Sequence, residues 1–143
     1  MFSGLFGTRQ SIASLNEGGF TAGIGLSNTI KKITYSTEVQ IGSAFELFDA
    51  RYNEYQANIL VGKKIKIGNR ILVQPNVGIG CYIENKKNGS TNFKYVTKGA
   101  LGLPVSFRVL YLIKYGAIGL NFGENVNSLV REFSYNIHFD INF

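Results

Sequence analysis

The chain has 143 residues with fifteen Lys and Arg against nine Asp and Glu, a net charge of +6, seventeen Gly, two Pro, one Cys and no Trp. That length suits one domain, residues 1–143, the lone Cys81 excludes an internal disulfide, and no apolar run reaches the roughly 18 residues of a membrane-spanning helix. The basic balance raises nucleic acid as a partner, but the cations fall in turn-like clusters ("TIKKI", "VGKKIKIGNR", "ENKKNG") without a stripe of stacking aromatics, so none is expected.

Taken in chain order, the opening "MFSGLFGTRQ" lacks the basic start and long apolar middle of a signal peptide, so an exported protein would be represented here by its mature or trimmed form. Alternation of apolar and polar residues between clusters of turn formers predicts strands at about 2–9, 18–28, 32–46, 54–67, 70–84, 93–112, 115–123 and 130–143. The first is the weakest, since "FSGLFGT" also reads as an irregular leader. Tight links are expected around Asn28, Gly68-Asn69 and Lys114, and long ones at "QSIASLNEG", "ELFDARYN", "ENKKNGSTN" and "GENVNSLV". Short and long connections alternate, so an up-and-down sheet collects the short turns at one end and the long loops at the other. Pro75 and Pro104 each delete a ladder donor and predict a bulge or local break.

The two faces of these strands differ in kind. One carries Phe20, Ile24, Val39, Ile41, Ile59, Val61, Val77, Ile79, Leu103, Val105 and, at the end, Phe133, Tyr135, Ile137, Phe139, Ile141 and Phe143, with no charge among them. The other carries Thr34, Ser36, Glu38, Gln40, Gln56, Asn58, Gln74, Asn76, Ser106, Arg108, Ser134, Asn136, His138 and Asp140. A soluble barrel turns its polar face to water and fills it with Lys and Glu. Here small and amide residues dominate, which suits a cramped interior. A Lys or Arg at mid-depth of a lipid-facing surface costs about 2–4 kcal/mol, so a face purged of charge is what hydrocarbon selects. Tyr35, Tyr111, Tyr115, Phe122 and Phe133 are candidates for interfacial girdles. The expected fold is therefore an all-β, eight-stranded antiparallel up-and-down transmembrane β-barrel with short periplasmic turns and longer extracellular loops. A soluble lipocalin-like carrier of apolar ligands is the alternative fold of the same pattern.

The stretch "KGALGLPVSFRVLYLIKYGAIGLNFGENVNSLVREFSYNIHFDINF", through its "GLPVSFRV" and "GAIGLNF" strands and its alternating terminal strand, resembles the small outer-membrane β-barrel proteins of the Bacteroidetes type. The resemblance implies an integral outer-membrane location, contact with outer-membrane lipids, and an assembly signal at Phe143 read by the barrel-assembly machinery.

The candidate sites follow from the inner face. Glu38, Gln40, Asn58, Gln74, Asn76, Arg108, Asn136, His138 and Asp140 are expected to form a polar network that plugs the lumen, with Arg108 held between carboxylates. His138 is the only histidine, which excludes multi-His metal sites; neither a metal nor a cofactor is expected. A lipid-modifying barrel enzyme needs a histidine beside a serine and a carboxylate at the outer leaflet, whereas the alternation puts His138 inside and near mid-strand. No catalytic residue is assigned, and a structural or interaction role is favoured over that enzyme. The "GIG" pieces at 23–25 and 78–80 have neither the spacing nor the following helix of a nucleotide loop. Lys86, Lys87, Lys94 and Lys98 flank the third long loop and are the candidate lipopolysaccharide contact, with another envelope protein as a further candidate partner; "NGS" at 88–90 reads as a turn.

Overall fold

In the computed structural model the chain is all-β, and the structure describes residues 1–11, 17–46, 51–88 and 94–141. The strands are β1 (Phe2–Ser11), β2 (Glu17–Ile30), β3 (Ile33–Glu46), β4 (Arg51–Lys63), β5 (Ile65–Ile67), β6 (Ile71–Asn88), β7 (Lys94–Ile113), β8 (Gly116–Asn127) and β9 (Arg131–Ile141). β5 continues β4 past Lys64, because both pair with β6 in one register, Gly62 with Asn76 and Ile65 with Val73. Nine segments thus make eight staves. Each stave is antiparallel to its neighbours, and β1 lies between β2 and β9, Phe2 opposite both Leu26 and Ile141, which closes the ring. Phe2–Ser11 is accordingly a stave of the barrel.

Closure leaves little room for an apolar centre. Only Leu5, Leu60, Tyr82, Leu110 and Ala117 are buried hydrophobics among the described residues, whereas buried polar residues include Thr34, Glu38, Asn58, Gln74, Arg108 and His138. The large apolar side chains point out: Ile24, Val39, Ile59, Val77, Leu103, Ile137 and Phe139 are all exposed. The polar side chains fill the interior that eight strands enclose, so a carrier of apolar ligands, which needs the opposite arrangement, is excluded by the geometry.

Two local expectations need correction. The first tight turn is at Lys31–Lys32, not around Asn28: Ile30 pairs with Ile33, and Asn28 is inside the ladder opposite Tyr35. Both lysines adopt positive φ, 49° and 70°, which the two-residue hairpin demands and which Asn-Gly would normally supply. The other end of the barrel is more compact than its sequence suggests, since the strands run on into three of the expected loops and leave only 12–16, 47–50 and 89–93 between them. In the fourth, Asn127 Oδ1 accepts from the Leu129 and Val130 amides at 2.9 Å each, closing a turn over 128–130. The prolines do what was expected of them, each by a local break and not a bulge. Pro75 faces the interruption between β4 and β5, where its missing N–H leaves Lys63 and Lys64 without a ladder partner on β6, although Lys63 still pairs with Ile33 of β3. Pro104 lies at a gap in the β6–β7 ladder between Val77↔Val105 and Gly80↔Gly102, the register being the same on both sides.

The β6–β7 hairpin is the longest, continuing to Asn88 opposite Lys94, while β8 joins β7 only from Gly102. Residues 94–101 therefore rise above the β8 side of the barrel as a ribbon paired to β6 alone.

Candidate functional site

Alternation along each stave brings the expected inner residues to one axis. Arg108, on β7, and Glu38, on β3, form an ion pair across the lumen with about 1% and 2% of their side chains exposed. Asp140 does not share that guanidinium as expected. It accepts from, or donates to, His138 two residues back on β9, with Nε2 and Oδ1 2.8 Å apart. Gln74 Nε2 donates to Asn76 Oδ1 at 2.7 Å, and Asn76 Nδ2 to Ser106 Oγ at 3.0 Å. Asn136 is buried with neither amide atom hydrogen-bonded, and Gln40 is half-buried against a small central cavity.

A second group, nearer the long-loop end, joins Gln56, expected to face inward, to Glu54, Tyr82, Asn125 and Glu132, which were not named among the inner residues. Tyr82 OH donates to Glu54 Oε2 at 2.8 Å. Gln56 Nε2 donates to Glu132 Oε1 at 3.3 Å, and Asn125 Nδ2 to Gln56 Oε1 at 3.0 Å, all in buried surroundings. Each continues a periodicity already visible: Glu54 precedes Gln56 and Asn58, Tyr82 follows Gly78 and Gly80, and Glu132 precedes Ser134 and Asn136, always at a spacing of two. The signal was present; Glu54, Tyr82 and Glu132 lie near the ends of expected strands, and Asn125 alone falls where a loop was expected.

At the short-turn end the rim is cationic and aromatic. Arg70 Nη1 donates to Tyr111 OH at 2.7 Å, and Lys114 Nζ stands 4.9 Å from the centre of the Tyr115 ring. Lys64, in the break between β4 and β5, is half-buried beside the Met1 thioether. Burial lowers its pKa, Asp140 opposes that shift, and Arg108 reinforces it. Toward the other end, Phe122 and Tyr135 pack edge to face at 6.0 Å, and Arg131 bonds to Glu124.

His138 is fully buried, and its Nδ1 has no hydrogen-bond partner. The arrangement joins an imidazole to a carboxylate and stops there. No group of three or more His, Cys, Asp or Glu side chains among the described residues is placed to hold a metal ion. Of the candidate lipopolysaccharide lysines, Lys86 and Lys98 are on the face of the β6–β7 ribbon that continues the lumen lining from Tyr82 and Gly102, with Glu84 opposite Lys98. They therefore stand over the mouth and not against the outer surface. The side chains of Lys87 and Lys94, the residues that follow Asn88 in "NGS", and Phe143 lie outside the described residues.

No family model and no curated protein matches the chain. Solved structures do. Neisserial surface protein A aligns with a TM-score of 0.79 at 11% identity, over 99% of this chain and 94% of that one. Ail, the attachment invasion locus protein of Yersinia pestis, in complex with the heparin analogue sucrose octasulfate, aligns at 0.64 with 7% identity, over 99% and 95%. The outer membrane enzyme PagL aligns at 0.59 with 14% identity, over 99% of both chains. What is shared at these identities is the closed eight-stranded antiparallel barrel. That one fold includes an enzyme as well as proteins not described as enzymes.

Proposed function

We propose that the chain is an integral outer-membrane barrel with a structural or interaction role. The observation that carries this reading is the outer belt: exposed Ile, Val, Leu, Phe and Tyr cover the staves at mid-height, while the exposed cations Lys31, Lys32, Lys63, Lys66, Arg70 and Lys114 cluster at one end and Lys98 and Arg131 at the other. An apolar surface of this extent is unstable in water and matches a hydrocarbon slab bounded by two headgroup layers. The strands are long enough, since β4 and β9 have thirteen and eleven residues and about 9–11 tilted residues cross a bilayer.

The Glu38–Arg108 and His138–Asp140 pairs and the amides around them plug the lumen, which argues against a diffusion pore. Catalysis is disfavoured because the sole imidazole is sealed among the staves, away from either rim. Binding belongs to the long-loop end. There Lys86 and Lys98 offer positive charge over the mouth, a geometry suited to an anionic group such as a lipopolysaccharide phosphate, and Ail, a barrel of the same fold, has been crystallised with a polysulfated heparin analogue. Kinship with the Bacteroidetes-type barrels is our reading of residues 98–143, and with it go an assembly signal at Phe143 and recognition by the barrel-assembly machinery.

The test is refolding from urea with and without detergent micelles. The reading expects an all-β circular dichroism spectrum and a heat-modifiable gel mobility only when micelles are present. A monomer that folds and stays in solution without them would overturn it.

A further inference from the structure

The positive charge of the chain is gathered at one end of the barrel. All three hairpin connections at the short-turn end are cationic: Lys31 and Lys32 form the β2–β3 turn, Lys63, Lys64, Lys66 and Arg70 follow one another between β4 and β6, and Lys114 begins the β7–β8 turn. Against these seven cations, Asp140 is the one acid in residues 27–36, 61–72, 111–118 and 138–141, and it is buried beside His138. With that group and the Glu38–Arg108 pair set aside, the rest of the sequence holds seven Lys and Arg and seven Asp and Glu. The net charge of +6 is thus the charge of this rim.

Like charges gathered on one rim repel, yet the backbone fixes them there. The Lys64 amide donates to the Lys32 carbonyl at 3.3 Å and the Leu112 amide to the Arg70 carbonyl at 2.7 Å, so neighbouring hairpins are tied edge to edge. Tyrosines brace two of the cations: the Arg70 guanidinium is 5.9 Å from the centre of the Tyr111 ring, and Lys114 stands over Tyr115. Lys31 and Lys32 both have positive φ, a conformation that Asn-Gly takes without strain, and the sequence nevertheless places two cations there. Strain kept at a fixed position points to a use for the side chains that bear it.

The row of cations starts where the apolar belt ends. Along the outer face of β4, exposed Ile59 and Val61 are followed at the same spacing by exposed Lys63, which pairs with exposed Ile33, and exposed Ile113 immediately precedes Lys114. Cations at that depth meet the phosphates of a headgroup layer. A zwitterionic headgroup returns an ammonium with every phosphate and leaves the surplus standing, whereas an anionic phosphodiester offsets it. We propose that the short-turn rim binds anionic glycerophospholipids, the phosphodiester seated between neighbouring hairpin turns and the acyl chains lying along the belt. A soluble acidic partner fits less well, because it would approach the turns end-on while Lys63 faces sideways from a stave. The proposal rests on the reading of the outer belt and adds to it an end and a lipid class.

The test uses the barrel folded in neutral detergent micelles, with native mass spectrometry counting the lipids it retains. Phosphatidylglycerol should be held at least about tenfold more tightly than phosphatidylcholine of the same chain length, by a margin that shrinks as the ammonium acetate concentration is raised. Lys31→Asn with Lys32→Gly should cut that preference severalfold even though it relaxes the turn, a split that a purely structural role for the two lysines would not give. Neutralising all three turns, by Lys32→Gln, Arg70→Gln and Lys114→Gln together, should bring the two lipids level; should that variant lack the folded gel mobility, the Lys31–Lys32 variant decides alone. Arg131→Gln, at the other end, should leave the preference intact, and equimolar inorganic phosphate should not displace the lipid. Equal retention of both lipids by the folded parent, a preference that survives the turn variants, or one lost with Arg131→Gln overturns the proposal. Displacement by phosphate overturns it as well, making the rim a site for free anions. A chain that folds without micelles sinks the reading of the outer belt instead.

Discussion

The Glu38–Arg108 pair shows what burial does to a single contact. Both side chains are almost wholly withdrawn from solvent, so each ion depends on the other, and deleting one leaves an uncompensated charge that costs about 3–5 kcal/mol. Arg108→Ala should therefore lower the unfolding free energy in urea by about that amount, followed by circular dichroism. The double change Glu38→Leu with Arg108→Met should recover most of it, because it removes both desolvation costs together. Glycines make a second prediction at this scale. A Cβ on Gly78 would drive into the Ile59 carbonyl oxygen, which is backbone and cannot swing away, whereas one on Gly4 meets nothing within 4 Å. Gly78→Ala should impair folding while Gly4→Ala stays within about 0.5 kcal/mol of the parent.

Among the elements, the Lys31–Lys32 hairpin carries a removable strain. A non-glycine residue in the left-handed region costs about 1–2 kcal/mol, and both residues of this turn are there. Replacing the pair by Asn-Gly should raise the unfolding midpoint at an unchanged denaturant slope; no change would mean that the turn is not formed as described. The same turn explains why it was misplaced in the sequence, since neither lysine carries the usual mark of positive φ and Asn28 nearby does. Period-two alternation, by contrast, is unambiguous in β3, β4 and β9, where Ser36, Glu38, Asn58, Asn136 and His138 all face inward as their spacing requires. Legibility failed at the strand ends. Asn125, within "GENVNSLV", read as loop, and Glu54 and Glu132 stood at the ends of expected strands, because the sequence does not reveal how far a ladder continues once its neighbours hold it. The partners across the lumen were also hidden: Gln56 meets Glu132 from a stave that is distant in sequence, and only closure of the ring joins them.

For the whole molecule, the decisive question is what bathes the outer surface, and depth along the barrel axis answers it. Ile137 is at mid-barrel, paired with Phe6 on one side and Leu120 on the other, and Ile113 is the last residue of β7 beside the Lys114–Tyr115 turn. Their exposures are nearly equal, 46% and 54%, so in water a lysine at either site would have similar and small effects. In a bilayer they differ. A lysine at mid-depth is held away from both headgroup layers and costs about 2–4 kcal/mol, while one near an interface reaches the phosphates and costs about 0–1 kcal/mol. Ile137→Lys should therefore destabilise the barrel severalfold more than Ile113→Lys when both are unfolded from phospholipid vesicles, with heat-modifiable mobility reporting the folded fraction. Equal losses at the two depths would remove the hydrocarbon slab from the argument, because no other surroundings distinguish two equally exposed isoleucines by height alone.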